Sequence, residues 1–162
     1  MTKIIAFADI HGNSHNLVEL IPMIEKADVA LFLGDGIGTL EVLPNNVNKK
    51  IFAVRGNCDF FCNSVPTEML LEIEDKKVLI SHGHIYGVKD GIDRIWHAAG
   101  EHEADIVLYG HAHVFRDNTR SGVRLVAVSP IGTTRTGEGG SYVELMLEKG
   151  KEAVVSQKFL KK

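Results

Sequence analysis

Five short apolar runs, each followed at once by residues able to ligate a cation, constrain this chain more than any other feature. The runs cover residues 4–8, 29–33, 51–54, 78–80 and 106–109. Behind them stand Asp9 and His11, then Asp35, Asn57, His82, and finally His111 with His113. A brief run of Val, Ile, Leu and Ala between polar flanks is the pattern of a strand buried on both faces. Each donor then falls just past the carboxyl end of its strand, the edge at which open α/β sheets bind ligands. Seven oxygen or nitrogen donors exceed the needs of one ion and suit a pair of metals sharing a carboxylate.

Length and charge narrow the partners. A chain of 162 residues with 44% hydrophobic content fits a single domain spanning residues 1–162 with a real core. A formal charge of −3 and a pI near 6.2 supply no long-range attraction for polyanions. Long nucleic acid is therefore not an expected partner, whereas a small phosphoester held by metals is. No stretch has the length needed to cross a bilayer, and Met1-Thr2-Lys3 leads straight into a strand without a signal-peptide pattern. The expected location is the cytoplasm, with no membrane partner. The spacing of Cys58 and Cys62 matches neither a redox pair nor a zinc-binding thiol cluster, so no structural disulfide is expected.

Between the runs, residues 13–26 carry Leu17, Leu20, Ile21 and Ile24 at helical spacing, with Pro22 predicting a kink or break. A short segment at 39–43 ends at Pro44 in an Asn-rich loop. The β-α-β-α-β order calls for parallel strands covered by helices. Residues 68–74 and 77–81 read as a hairpin around Asp75-Lys76, and 90–102 as a helix packed by Trp96. Two further hairpins turn at Ser121-Gly122 and Lys149-Gly150. Substrate choice is expected to lie in loops at 59–66, 86–91 and 133–140, the last including the Gly-rich stretch 137–140.

Each donor taken alone has a plainer explanation. An Asp, Asn or His after a strand is commonly a turn former or a helix cap. An extended chain would point Asp9 and His11, two residues apart, the same way, and Gly34-Asp35 offers a turn plus a carboxylate able to bridge. The histidines decide. Four of the eight fall in Ser81-His82-Gly83-His84 and Gly110-His111-Ala112-His113, each directly after an apolar run. Two such pairs at equivalent strand ends are hard to explain by packing, since neutral imidazole is a common transition-metal ligand. Arg55 could bind a phosphate oxygen through its forked guanidinium, with a solvated strand-end role as the alternative. Cys58 reads as an ordinary buried cysteine. Phe60, Phe61 and Trp96 could form an apolar patch for homo-oligomer formation, but core burial is the usual fate of such residues.

These motifs together resemble the calcineurin-like metallophosphoesterase superfamily, in its small bacterial and archaeal phosphodiesterase branch. That family carries Asp-x-His, Gly-Asp, Gly-Asn-x-Asp or Glu, an isolated His and Gly-His-x-His in this order, matched here from Ile4 to His113. The resemblance implies an α/β fold, a four-layer αββα sandwich of two mixed sheets flanked by helices. It implies that Asp9, His11 and His113 serve one metal and Asn57, His82 and His111 another, with Asp35 bridging. The implied reaction is hydrolysis of a small phosphodiester by a hydroxide bridging two divalent ions roughly 3.5–4 Å apart, with no covalent enzyme intermediate. Mixed nitrogen and oxygen donors suit manganese, iron, zinc or nickel, and the resemblance favours manganese. A phosphomonoesterase with the same site is one alternative, and a metal-free interaction scaffold is another. The chain departs from the family pattern at Gly38, where many members have Asp, and at Ser129-Pro130-Ile131-Gly132, where the branch has Asn-Pro-Gly-Ser. It also has Cys58 where the wider superfamily has a His that protonates the leaving group. That leaves His84 as the candidate acid, with a supporting role behind the ligands as its alternative.

Overall fold

The computed structural model describes residues 1–132 and 139–161. Its strands are β1 (Thr2–Phe7), β2 (Val29–Phe32), β3 (Ile51–Ala53), β4 (Glu68–Ile73), β5 (Lys76–Ser81), β6 (Ile106–Tyr109), β7 (Arg116–Arg120), β8 (Val123–Ala127), β9 (Ser141–Leu147) and β10 (Val154–Phe159). They form two five-stranded sheets, ordered β10-β9-β1-β2-β3 and β4-β5-β6-β8-β7. Within the first, β1, β2 and β3 run parallel, and β9 joins β1 antiparallel. Within the second, β5, β6 and β8 run parallel, with β4 and β7 antiparallel at the edges.

The unbroken apolar runs are explained by burial on both faces. In β1, Ile4 and Ala6 point into the space between the sheets, where they meet Val78, Ile80, Leu108 and Val126 of the second sheet. Their neighbours Ile5 and Phe7 point the other way, toward Leu17, Leu20 and Ile24 of helix α1 (Ser14–Lys26). The same alternation splits β6: Ile106 and Leu108 face inward, while Val107 and Tyr109 pack with Ile95 and Ala99 of α3 (Asp93–Glu101). Period-two alternation with a partner layer on each side gives the four layers αββα.

Four local expectations needed correction. Helix α1 runs continuously through Pro22. Pro22 lies on the exposed face beside exposed Val18, so the carbonyl that loses its partner there faces solvent. The segment expected at 39–43 is a 3-10 turn (Ile37–Val42), and the Asn-rich stretch expected as a loop forms a one-turn helix α2 (Asn45–Asn48), started by Pro44 and anchored by buried Val47. The β4–β5 turn is Glu74-Asp75, one residue earlier than expected, with Glu74 left-handed at φ 57° and Ile73 opposite Lys76. Helix α3 begins at Asp93 because residues 87–90 close a separate turn, Asp90 N–H to the Gly87 carbonyl at 2.9 Å. Among the described residues no helix is long and apolar enough to cross a membrane. Of the expected pocket-wall loop, residues 133–138 lie outside the described residues.

Candidate metal centre

All five runs end at one edge of the sandwich, and the chain turns there in an unusual way. Asp9, His11, Asp35, His111 and His113 take left-handed backbone conformations, with φ of 54°, 46°, 65°, 66° and 57°. The expected extended path from Asp9 to His11 is therefore wrong. Between them Ile10 is fully buried against the α1 layer, and the turn is held by Asp9 N–H to the Gly34 carbonyl and Ile10 N–H to the Asp35 carbonyl, both 2.9 Å. Left-handed non-glycine residues cost about 1–3 kcal/mol each, less for Asp than for bulkier types. Nine occur among the described residues, and five are these donors.

Glycine is required where backbone meets carboxylate. A Cβ on Gly56 would lie 2.1 Å from Asp35 Oδ1, and one on Gly110 would lie 2.8 Å from the Ala8 Cβ and 3.1 Å from Asp9 Oδ2. A Cβ on Gly34 would likewise lie 2.7 Å from Gly56 N, so the Gly34-Asp35 and Gly56-Asn57 turns approach each other only because both glycines lack side chains.

The seven expected donors form two linked groups. In one, Asp9 Oδ1 lies 3.6 Å from His11 Nε2 and 3.4 Å from His113 Nε2. In the other, His82 Nε2 lies 3.1 Å from Asn57 Oδ1, 3.2 Å from His111 Nδ1 and 3.2 Å from Asp35 Oδ2. Asp35 Oδ2 is also 3.9 Å from His11 Nε2, and Asp9 Oδ1 is 3.9 Å from His82 Nε2, so the two carboxylates join the groups. Asp9–His11–His113 and Asp35–His82–His111 are each close enough to hold one ion.

The proton arrangement of the second group calls for positive charge at its centre. His82 is fully buried, and its Nδ1 sits 2.7 Å from the Leu33 carbonyl, which can only accept. Nδ1 therefore carries the hydrogen, and the neutral ring presents a lone pair on Nε2. That lone pair faces an amide oxygen, a carboxylate oxygen and a second imidazole nitrogen. A proton on His82, a hydrogen on His111 Nδ1 or a cation at Nε2 relieves the repulsion, and only the cation serves all three neighbours at once. Burial alone would lower the His82 pKa, but the Asp35 and Asp9 carboxylates outweigh it and hold the ring above the ordinary imidazole value. Its neighbour His111 is pushed down to about 4 by burial and by charge on His82.

The first group carries the same signature. Asp9 is fully buried, and among the described residues its Oδ1 has no hydrogen-bond partner. Burial opposes its ionisation, yet His11, His113 and His82 together hold the carboxyl well below the usual carboxylate range. A buried anionic oxygen surrounded by imidazole nitrogens beyond hydrogen-bond length fits a cation better than it fits protein alone.

One organising residue was not singled out in the sequence. Asp59 accepts four backbone N–H groups, from Asp35 at 2.7 Å, Gly36 at 2.8 Å, Ile37 at 3.0 Å and Gly56 at 2.8 Å. It ties the Asp35 turn to the Asn57 turn, while Cys58 N–H donates to Asp35 Oδ1 at 2.8 Å. The signal was present, since Asp59 closes the Gly56-Asn57-Cys58-Asp59 motif. Cys58 is exposed, which overturns the buried reading, and desolvation with the Asp35 charge pushes its thiol pKa up. Cys58 and Cys62 are both free thiols. Phe60 and Phe61 are exposed as well, contrary to the expectation of core burial, whereas Trp96 is partly covered by the Arg120 guanidinium 4.0 Å above its ring.

His84 and Arg55 flank the centre. The His84 ring lies 5.4 Å from that of His82 and 6.3 Å from that of His111. Burial, the His82 charge and the Arg55 charge lower its pKa, which favours a neutral ring. His84 Nδ1 and Arg55 Nε are both buried without partners among the described residues.

A two-sheet αββα sandwich with this edge is the architecture of the calcineurin-like phosphoesterases, and the chain belongs to that superfamily, whose domain it matches over residues 2–150. It is 31% identical to the probable metallophosphoesterase YsnB of Bacillus subtilis over 142 residues, covering 86% of this chain and 83% of that one. It is 27% identical to the phosphodiesterase YfcE of Escherichia coli over 139 residues, covering 70% of this chain and 71% of that one. The crystal structure of a predicted phosphoesterase from Streptococcus pneumoniae superposes with a TM-score of 0.77 at 22% identity, covering 97% and 98% of the two chains.

Proposed function

We propose that the chain hydrolyses a small phosphodiester at a dinuclear metal centre built from Asp9, His11, Asp35, Asn57, His82, His111 and His113. The observation carrying this reading is the His82 Nε2 lone pair directed at Asn57, Asp35 and His111 from 3.1–3.2 Å. In this reading Asp9, His11 and His113 would hold one ion and Asn57, His82 and His111 the other, with Asp35 available to both. Manganese is the preferred metal, with iron, zinc or nickel compatible with the same donors. Divalent ions would supply Lewis acidity toward phosphoryl oxygens and would lower the pKa of a coordinated water to near 7.

The protein's part is arrangement and charge. Two carboxylates among the seven donors leave a centre of two divalent ions net positive, which suits an anionic ester. The Leu33 carbonyl fixes the His82 tautomer, and Asp59 fixes the two turns that present Asp35 and Asn57. Arg55 would take a non-bridging phosphoryl oxygen. His84, its pKa lowered in the metal-free chain, would donate a hydrogen bond to the departing oxygen, and an approaching phosphate anion would raise its pKa toward proton transfer. A diester is preferred over a monoester because the Escherichia coli relative is described as a phosphodiesterase.

The test compares bis(4-nitrophenyl) phosphate with 4-nitrophenyl phosphate, each with and without added manganese. Manganese-dependent release from the diester at the higher rate supports the reading. Faster release from the monoester would make the chain a phosphomonoesterase, and no bound metal with no release from either would leave a metal-free scaffold.

A further inference from the structure

Two aromatic side chains beside this centre do nothing for folding. Phe60 is 73% exposed and Phe61 is 99% exposed, with Phe61 also left-handed at φ 67°. A bulky residue in that conformation loses backbone energy and here recovers none by burial. The rings are nevertheless anchored at their base, because Asp59 immediately before them accepts the four N–H groups that fix the Asp35 and Gly56 turns.

The rings line an open cleft of ≈ 460 Å³ whose lining also includes His11 and Asp35, so the cleft shares two residues with the candidate metal centre. That volume falls within the range of pockets that enclose small organic ligands, about 300–1,000 Å³. Cys58 and Cys62 add polarisable sulfur to the lining, a favourable neighbour for flat rings. None of the described lining residues is a lysine or an arginine. The Asp35 and Asp59 carboxylates in the lining oppose a second phosphate there and do not oppose an uncharged flat group.

We infer that the phosphodiester taken by this site carries an uncharged planar ring system of the nucleobase type on one of its alcohols, and that Phe60 and Phe61 bind that ring. The inference rests on the hydrolytic reading above and names the substrate class for the same site. In the reaction the oxygen of water forms a new bond to phosphorus, one ester P–O bond breaks, and the freed alcohol leaves with a proton. The ring stays out of the bond changes and positions the ester.

Two cyclic diesters with the same five-membered ring test this: adenosine 2′,3′-cyclic phosphate, which carries a base, and glycerol 1,2-cyclic phosphate, which does not. With manganese present, kcat/KM is measured for each on the wild-type chain, on Phe60→Ala/Phe61→Ala, and on Phe60→Trp/Phe61→Trp. The expected wild-type preference for the nucleoside ester is at least tenfold. In the double alanine variant the preference falls roughly tenfold to a hundredfold, mainly through KM, the scale of aromatic–base stacking. The tryptophan variant keeps it. Equal kcat/KM for both esters in the wild type, or an unchanged preference in the alanine variant, overturns the inference. So does a loss of preference accompanied by dissociation of an oligomer on sizing, since Phe60 and Phe61 would then serve self-association. Should neither ester, nor any nitrophenyl ester, be hydrolysed by metal-loaded chain, the hydrolytic reading fails first and this inference falls with it.

Discussion

The two edges of the sandwich are built from the same strands by opposite rules. At the edge where β5, β6 and β8 begin, the chain turns tightly, and the left-handed residues Glu74, Glu103 and Ser121 are all exposed. The charges there are matched. Arg124 meets Asp117 at 2.8 and 2.9 Å, Asp105 accepts from Lys77 N–H at 2.8 Å, and Asp75 accepts from Gly150 N–H at 2.9 Å. At the other edge the left-handed residues Asp9 and Asp35 are buried, Asp9 Oδ1 is unpartnered, and imidazoles crowd one another. Strain at the first edge follows from hairpin geometry. Strain at the second serves no turn that a glycine or asparagine could not make more cheaply, so it belongs to what the edge binds.

The largest break in this contrast should come from Asp35→Asn. Loss of the carboxylate shared by both donor groups is expected to cut manganese-dependent diester hydrolysis by more than about a hundredfold. The thermal midpoint of the metal-free chain should fall only modestly: burial opposes the Asp35 charge, but His82 and the Cys58 N–H hold its pKa below the ordinary value, and Asn keeps an acceptor for that N–H. A large fall in stability with activity intact would place Asp35 in the structural class of the opposite edge.

One substitution made at both edges sharpens the point. Gly56→Ala puts a methyl 2.1 Å from Asp35 Oδ1, whereas a Cβ on Gly122, at φ 79°, meets nothing within 4 Å. Gly56→Ala should lower activity by about a hundredfold through displaced ligands. Gly122→Ala should cost about 1 kcal/mol in urea unfolding and leave turnover unchanged. Next in size, Asp59→Ala strands four backbone N–H groups and should cost about 2–3 kcal/mol, with weaker metal binding, read by denaturation and calorimetry.

The smallest effect is on pH dependence. The His82 pKa is held above its ordinary value in the metal-free chain. A raised pKa means the proton still occupies Nε2 at pH values where a free imidazole has lost it, and a cation must displace it. Manganese affinity should therefore weaken as pH falls below that raised pKa, by up to about tenfold per unit for the one proton displaced. Calorimetry in two buffers of different ionisation enthalpy reads the released proton, and pH-independent affinity would argue against His82 as a ligand.

Most of this architecture was legible in the residues because burial on both faces leaves unbroken apolar runs. Residues 4–8 and 106–109 announce their strands, and whatever follows such a strand must emerge at one sheet edge. What stayed hidden depends on conformation and tertiary partners. No periodicity marks Asp9 or His111 as left-handed, since Asp9 N–H bonds to the Gly34 carbonyl and His111 N–H to Asp9 Oδ2, across distant turns. Asp59 looked like one more polar loop residue until its four N–H partners, three of them more than twenty positions away, were in place. Phe60 and Phe61 misled for the reverse reason, because composition argues for burial and only the fold sets them at the rim of a cavity.

Anomalous diffraction from a crystal grown with excess manganese tests the central claim most directly. The account predicts two peaks roughly 3.5–4 Å apart, both in contact with Asp35, one beside Asp9, His11 and His113 and the other beside Asn57, His82 and His111. Manganese peaks confined to other surfaces, with His82 still facing Asn57 and His111 across an empty centre, would contradict it.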